Sequence, residues 1–534
     1  MMKATAKPMA LVAFVFGCLS VSGADSKACA GCHAEIYRRY ITTPMARTSG
    51  IAGAASPRES FQHASIAAPI GGARYEIASS RSGATDALSF RFSDGEIRGW
   101  RSLDYFLGSG VVGRSYMTDI DGFLFQSPVS YYSNPAAWGI SPGYERDAEI
   151  NLTREVTPGC ISCHATGLQP APGTANGYAK PPFREAGVGC ESCHGPAEEH
   201  IESSGRMGIV NPAKLDGWRR ESVCARCHLP GAVEIARKTG GAYRPGDFLA
   251  ASVAVFVWAA PEGETRQTTV NGHFEQLAKS ACKQASGDKM WCGTCHDPHA
   301  RASYREKCMT CHAVASCKAP SKVRATAGDQ CAACHMPRAA AVTVQHASYT
   351  DHSIPKLPRS EAPIGIPSNA RLVPFDGFSA DDRELGLAYA AVAIPDSNRI
   401  WGTRALDLLS KVNEKSSDDV KVTSTLAALY DQKGNRERSC KLYARALALG
   451  DTAPVTAINY GTCVATEGRL EEAMRLWSGV AQTNPGNEAA RLNLAVAQFR
   501  SGKVAQARAN LSEALRFNPV SKRARELLHS IQEP

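Results

Sequence analysis

Apolar and polar positions follow different rhythms along this chain, and each rhythm predicts a different kind of structure. From about residue 70 to 135 the rhythm is two. Apolar side chains take every second place in Tyr75-Glu76-Ile77 and in Leu88-Ser89-Phe90-Arg91-Phe92, and Asp94-Gly95 and Asp121-Gly122 interrupt such runs. Alternation predicts strands with one buried face, and Asp-Gly between them predicts tight hairpin turns. A small antiparallel β-subdomain is expected here, serving as scaffold, lid or docking face. Near the C-terminus the rhythm is 34. Gly434, Gly468 and Gly502 recur at that interval, as do Pro485 and Pro519, small Ser439, Ala473 and Ala507, and large Tyr443, Trp477 and Leu511. The period predicts three helix–turn–helix units over about 420–521, each burying its apolar face on a neighbour. Flanking helices are expected over 381–415 and 522–532. Pro355, Pro358, Pro363, Pro367 and Pro374 crowd the stretch before them, so 356–377 is read as a linker that divides a domain at 25–355 from one at 378–534.

Residues 156 to 354 show neither rhythm. Gly and Pro are frequent, and one pentapeptide, Cys-x-x-Cys-His, punctuates the stretch. It occurs seven times in the chain: Cys29-Cys32-His33, Cys160-Cys163-His164, Cys190-Cys193-His194, Cys224-Cys227-His228, Cys292-Cys295-His296, Cys308-Cys311-His312 and Cys331-Cys334-His335. Fourteen of the 19 cysteines and seven of the 14 histidines are used this way. Two thiols at this spacing reach the two vinyl groups of one porphyrin, and the adjacent imidazole reaches its iron, so the motif predicts seven covalently attached haem c groups. Structural zinc needs four ligands per ion and does not require a His after every second Cys. A disulfide between cysteines two residues apart closes a small, strained ring. Both alternatives fit worse. The close spacing leaves room for short helices and loops only, so the porphyrins themselves are expected to fill the interior and to stack closely enough to conduct.

A second axial ligand decides whether each iron carries electrons or binds substrate. Outside the motifs this part of the chain offers His63, His200, His273, His299, His346 and His352, six imidazoles for seven irons. His529 lies in the repeats and is set aside. Met45, in Thr43-Pro44-Met45, is a soft thioether donor and the seventh candidate, with ordinary packing as the alternative. If Met45 binds, every iron is closed; if it does not, one haem is open.

Lys3 and Lys7 precede the apolar run from Met9 to Phe16, and Ser22-Gly23-Ala24 offers small residues for cleavage. Residues 1–24 therefore read as an export signal, too short for a retained membrane span. Val15-Phe16-Gly17-Cys18 is a poor lipoprotein site. The protein is expected in the periplasm or otherwise outside the cytoplasm, with no transmembrane span in the mature chain. The formal charge of +9 is better assigned to offsetting haem propionates than to a nucleic acid, and none is expected as a partner. Of the remaining cysteines, Cys282 with Cys317 and Cys440 with Cys463 are candidate disulfides in an oxidising compartment.

Two resemblances sharpen the picture. The 34-residue units resemble tetratricopeptide repeats, which implies a short superhelix with a concave face for a protein partner. Cys190-Glu-Ser-Cys-His-Gly-Pro with His200, Cys292-Gly-Thr-Cys-His-Asp-Pro-His299 and Cys331-Ala-Ala-Cys-His-Met-Pro resemble the multihaem cytochromes of the hydroxylamine-oxidoreductase superfamily, including the tetrahaem carrier of ammonia oxidisers. That resemblance covers roughly 25 to 355. It implies a mainly α, haem-packed fold with bis-His ligation. The nitrite reductases of that group carry Cys-x-x-Cys-Lys, which is missing here, and the carrier-like relatives have Ser-Pro-His where this chain has Thr43-Pro44-Met45. The expectation is an exported heptahaem electron-transfer protein whose repeats dock a redox protein. The alternatives are an oxidoreductase of a small nitrogen or sulfur compound with one open haem, and an assembly protein whose haems are structural.

Overall fold

The computed structural model describes residues 23–53, 59, 64–82, 85–95, 97–134, 136–145, 147, 149–259, 272–300, 303–313, 316–340, 348–356, 366 and 370–532. Cys18 and nearly all of the expected signal, His63, His346 and much of the Pro-rich segment lie outside the described residues.

Helix α1 (Ser26–Tyr40) carries the first motif, and the Asp25 carboxylate caps it by accepting the Lys27 amide at 2.9 Å. His33 leaves helical geometry at φ −115° and ψ 40°, kinking the helix at the motif's end. Nine strands follow: β1 (Ser49–Ile51), β2 (Ser65–Ala67), β3 (Arg74–Ser82), β4 (Thr85–Asp94), β5 (Ile97–Ser102), β6 (Tyr105–Leu107), β7 (Gly113–Ile120), β8 (Phe123–Ser133) and β9 (Ala136–Ile140). They form two antiparallel sheets, in the orders β2-β3-β4-β5 and β1-β6-β7-β8-β9. Both predicted hairpins are present. Asp94 pairs with Ile97 across Gly95 (φ 59°), and Ile120 pairs with Phe123 across Asp121 and Gly122 (φ 55° and 88°). The alternating residues do what the pattern requires: Tyr75, Ile77, Leu88, Phe90 and Phe92 bury together with Tyr116, Val129 and Tyr131 of the other sheet.

Short helices and loops occupy the motif-rich part. They are α2 (Pro158–Ile161), α3 (Glu191–His194), α4 (Glu198–Glu202), α5 (Gly217–His228), α6 (Leu249–Ser252), α7 (His273–Ala278), α8 (Ala281–Ser286), α9 (Cys292–Cys295), α10 (Tyr304–Met309), α11 (Ser321–Thr326) and α12 (Cys331–His335). Strands interleave them: β10 (Ala165–Pro170) with β11 (Tyr178–Ala186), β12 (Val233–Ala236) with β13 (Val253–Ala259), and β14 (Arg338–Ala340) with β15 (Ser348–Thr350). Helix is the commonest regular structure over the described residues, as expected of a mainly α fold, but the sheets are more extensive than expected. Small antiparallel sheets take up much of 49–186, well beyond 70–135, and helix dominates only towards the C-terminus. The additional strands escape detection because they are short, and β10–β11 is irregular between Leu168 and Pro170.

The Pro-rich linker is also corrected at its end. Strand β16 (Arg371–Pro374) joins the edge of β13, and Leu372 is buried with Phe256 and Trp258. The same core takes in Leu387 of α13 (Asp382–Asp396), Trp401 and Leu409 of α14 (Arg399–Lys415), and Leu426 of α15 (Val420–Gln432). Residues 378–534 thus share a core with the part before the Pro-rich segment. Four packed units of helix follow one another: α13/α14, then α15 with α16 (Arg436–Ala448), α17 (Pro454–Thr466) with α18 (Leu470–Thr483), and α19 (Glu488–Arg500) with α20 (Val504–Phe517), closed by α21 (Lys522–Gln532). Gly434, Gly468 and Gly502 sit at φ 74°, 83° and 75° in the turns inside the last three units, which is why glycine recurs there. Cys440 and Cys463 form a disulfide between α16 and α17, with Cα atoms 5.8 Å apart.

Candidate functional site

The stretch that carries the last three motifs has no core of its own. From Ala281 to Lys356 no described residue is buried, although apolar and aromatic side chains are present throughout. In place of a core there is a cavity of about 2980 Å³. A single small-molecule site needs roughly 300–1,000 Å³, so this space is several times larger. Residues of six motifs line it, from Cys160 to His335; those of the first motif do not. None of the fourteen motif cysteines is taken up in a disulfide.

The motifs form a contiguous set. Cys29 lies against Cys190, Cys163 against Cys227, Cys224 against Cys292, and Cys308 against Cys331. Burial and the neighbouring Cys190 push the Cys29 thiol up to about 12, whereas the hydrogen bond from Cys227 pulls Cys163 down to about 6. Among the described residues no three His, Cys, Asp or Glu side chains converge as ligands for a single metal ion.

Three distal candidates lie close to motif imidazoles, two of the pairs in the cavity lining and the pair His194–His299 outside it. The ring centres of His194 and His299 are 5.9 Å apart, those of His228 and His273 5.9 Å, and those of His296 and His352 6.1 Å. Two imidazoles that share one metal sit about 6 Å apart, from two metal–nitrogen bonds of roughly 2.0 Å plus half a ring on each side. His299 therefore faces the third motif, although it lies three residues from the histidine of the fifth. His273 and His352 also touch each other, at 4.3 Å, which brings two such pairs into one cluster.

Four of the imidazoles are held in the form that ligation needs. Nδ1 of His194 lies 2.7 Å from the Val210 carbonyl, Nδ1 of His335 2.9 Å from that of Pro355, Nδ1 of His200 2.9 Å from that of Met207, and Nδ1 of His352 2.6 Å from that of Thr350. A carbonyl can only accept, so Nδ1 carries the proton and the Nε2 lone pair is left for a metal. His164 meets the Thr48 hydroxyl at 2.8 Å through Nδ1. Burial, then the neighbouring imidazoles, push His273 down to about 3 and His296 down to about 4, and burial lowers His228, His299 and His352 as well. These rings are neutral at pH 7.

The remaining candidates are less enclosed. Met45 opens a short 3₁₀ turn (Met45–Arg47) and lines the cavity three residues before Thr48. His200 is half-buried on α4, and His33 and His312 are exposed, as are His228 and His296 where they line the cavity. Cys282 and Cys317 remain unpaired, which corrects the expected bridge: Cys282 sits on α8 close to Cys295, and Cys317 is exposed. Thr48 and the carbonyls of Val210 and Pro355 carry no sequence signal, because a hydroxyl or a backbone oxygen becomes a partner only through the fold.

Comparison with known proteins agrees with this division. Residues 140–195 match the family model of cytochrome c554 and c-prime, and residues 465–531 match a tetratricopeptide repeat. The multiheme cytochrome MtrA of Shewanella baltica (strain OS185) is 26% identical over 188 residues, which cover 31% of this chain and 55% of that protein. The chain thus spans about half the length of this curated relative. Among solved structures, a MamA from AMB-1 is 24% identical and matches 28% of this chain and 86% of that one, with a TM-score of 0.25. MamA from Desulfovibrio magneticus RS-1 is 13% identical over 28% of this chain and 84% of its own, with a TM-score of 0.26. The chain therefore combines a region similar to multihaem c-type cytochromes, which implies covalently bound haem c, with repeats of a protein-interaction type.

Proposed function

We propose that this chain is an exported heptahaem c-type cytochrome that relays single electrons, with its repeats placing a redox protein partner. The observation that carries the reading is the cavity beside the coreless stretch Ala281–Lys356, into which six motifs open and which two imidazole pairs about 6 Å apart line, His228–His273 and His296–His352, with a third pair, His194–His299, outside its lining. Haem bound there supplies one-electron iron chemistry and the large apolar surface that the segment lacks. The fourteen thiols hold the porphyrins. His33, His164, His194, His228, His296, His312 and His335 are the proximal ligands. His299, His273 and His352, which lie near His194, His228 and His296, would be distal ligands, and His200, Met45, His63 and His346 would serve the other irons. Carbonyl-bound Nδ1 atoms orient the rings of His194, His200, His335 and His352. No acid–base residue is required for such a role.

Export follows from the N-terminal signal and from where c-type haem is attached. Among the described residues no helix is long and apolar enough to cross a membrane. The reading is tested by a reductive titration of the holoprotein together with a haem count by pyridine haemochrome. Seven haems that take up seven electrons per chain are expected. A count of four or five, or motif thiols that remain titratable by a thiol reagent, overturns it.

A further inference from the structure

We infer that the face built from residues 279–338 is where this protein exchanges electrons with an acidic one-electron redox protein. The inference rests on the heptahaem reading. Ten Lys or Arg and four Asp or Glu fall in this segment, so it carries +6 of the chain's +9. Three motifs lie in it. A ferric porphyrin has a charge of +1 and its two propionates −2, so each haem contributes about −1. Loaded with three haems the segment keeps about +3. The rest of the chain, without Lys3 and Lys7 and with four haems, falls to about −3. Haem loading therefore polarises the protein.

Haem attachment also reaches solvent at the positive end, as it does at the first, second and fourth motifs. Cys311 and His312 are exposed, and Tyr304 and Val323 beside them are 41% and 52% exposed. Electron transfer weakens steeply with distance, so a haem edge at the surface is where exchange is fast. Lys289, Lys307, Lys318 and Lys322 are exposed, and none forms an ion pair among the described residues. Arg305 and Arg324 are held by Asp329, at 2.8 and 3.7 Å. A competing role exists, because Arg305, Lys307, Lys318 and Arg324 line the cavity and fit propionates. Lys289 and Lys322 do not line it. Their charge faces outward, towards a partner whose surface is acidic and whose approach it steers. In each encounter one electron leaves a ferrous iron, which becomes ferric, and reduces the partner's centre by one electron, or the reverse; no atom or proton moves.

The test uses the haem-loaded protein and two probes. Poly-L-glutamate is added during lysine acetylation, and ferricyanide oxidises the reduced protein in a stopped-flow instrument at varied ionic strength. We expect poly-L-glutamate to protect Lys289 and Lys322, and the oxidation rate to fall about tenfold between roughly 10 and 200 mM salt. The variant K289E/K322E should lose most of that dependence, whereas K421E/R500E, on the repeats, should keep it. An unchanged salt slope in K289E/K322E, or protection confined to lysines of the repeats, overturns the inference. The haem count of the same sample separates the two claims: a low count refutes the heptahaem reading, while the acetylation pattern still judges the surface.

Discussion

Removing the Phe517 side chain tests whether the repeats form one body with the cytochrome part. Phe517 ends α20 and meets Phe125 of β8 edge to face, with ring centres 5.8 Å apart, and each residue is 1% exposed. One and two periods earlier the same position holds Thr483 and Leu449, so the aromatic ring is a departure from the repeat. The surroundings explain it. Arg101 donates to the carbonyls of Arg516 and Phe517 at 2.8 and 3.1 Å, the Asn484 side chain accepts the Ala175 amide at 2.9 Å, and Val520 is buried among the sheet residues. A buried Phe covers about 200 Å², worth roughly 5 kcal/mol at 25 cal/mol per Å². Phe517→Ala should therefore cost about 3–5 kcal/mol, and Phe125→Ala a similar amount. The double variant should cost less than the sum of the two by about 0.5–1.5 kcal/mol, the value of the lost ring pair. Guanidinium unfolding followed by haem absorbance and by far-ultraviolet circular dichroism reads both halves at once. The two probes should coincide in the parent protein and shift together in the variants. If Phe517→Ala moves only the dichroism, or the two substitutions add without coupling, the repeats are an independent arm and this reasoning fails.

Other predictions follow from single contacts. His273→Ala removes the imidazole opposite His228, so one haem in seven should turn high-spin in the oxidised spectrum while the haem count is unchanged; a fully low-spin spectrum would remove His273 as a ligand. Replacing Cys440 and Cys463 by Ser opens a 23-residue loop, and the chain-entropy relation gives a loss of about 3 kcal/mol, read as a lower denaturation midpoint. Glu384 accepts two bonds from one guanidinium nitrogen of Arg237 at 2.9 Å and is 5% exposed, so Glu384→Ala removes the charge partner of a guanidinium otherwise bonded, among the described residues, only to the Ala250 and Ser379 carbonyls and should cost about 3 kcal/mol in the same assay. A loss below ~1 kcal/mol would mean that this guanidinium is solvated.

The parts of this protein that could be read in its sequence are those governed by local chemistry. Asp121-Gly122 marks its hairpin because few other residues adopt that turn, and Gly434, Gly468 and Gly502 mark theirs for the same reason. The motifs are legible because covalent attachment fixes their spacing. Pairing across space was not legible. His299 lies beside the fifth motif in sequence yet stacks near His194 of the third, about a hundred residues earlier, a pairing set by the tertiary fold and not by local spacing. The Pro-rich segment suggested a linker because Pro breaks regular structure, but Pro374 sits at the end of an edge strand, where a missing amide is tolerated. Strand β16 then carries Leu372 into a core shared with the first helices of the repeats.

The claim that paired imidazoles close most of the irons is tested most directly by electron paramagnetic resonance of the oxidised, haem-loaded protein, recorded alone and with nitrite or hydroxylamine. The account predicts low-spin haem throughout the three pairs His194–His299, His228–His273 and His296–His352, unmoved by either addition. High-spin signals from several haems that shift on addition would contradict it and make the interior a substrate-binding site.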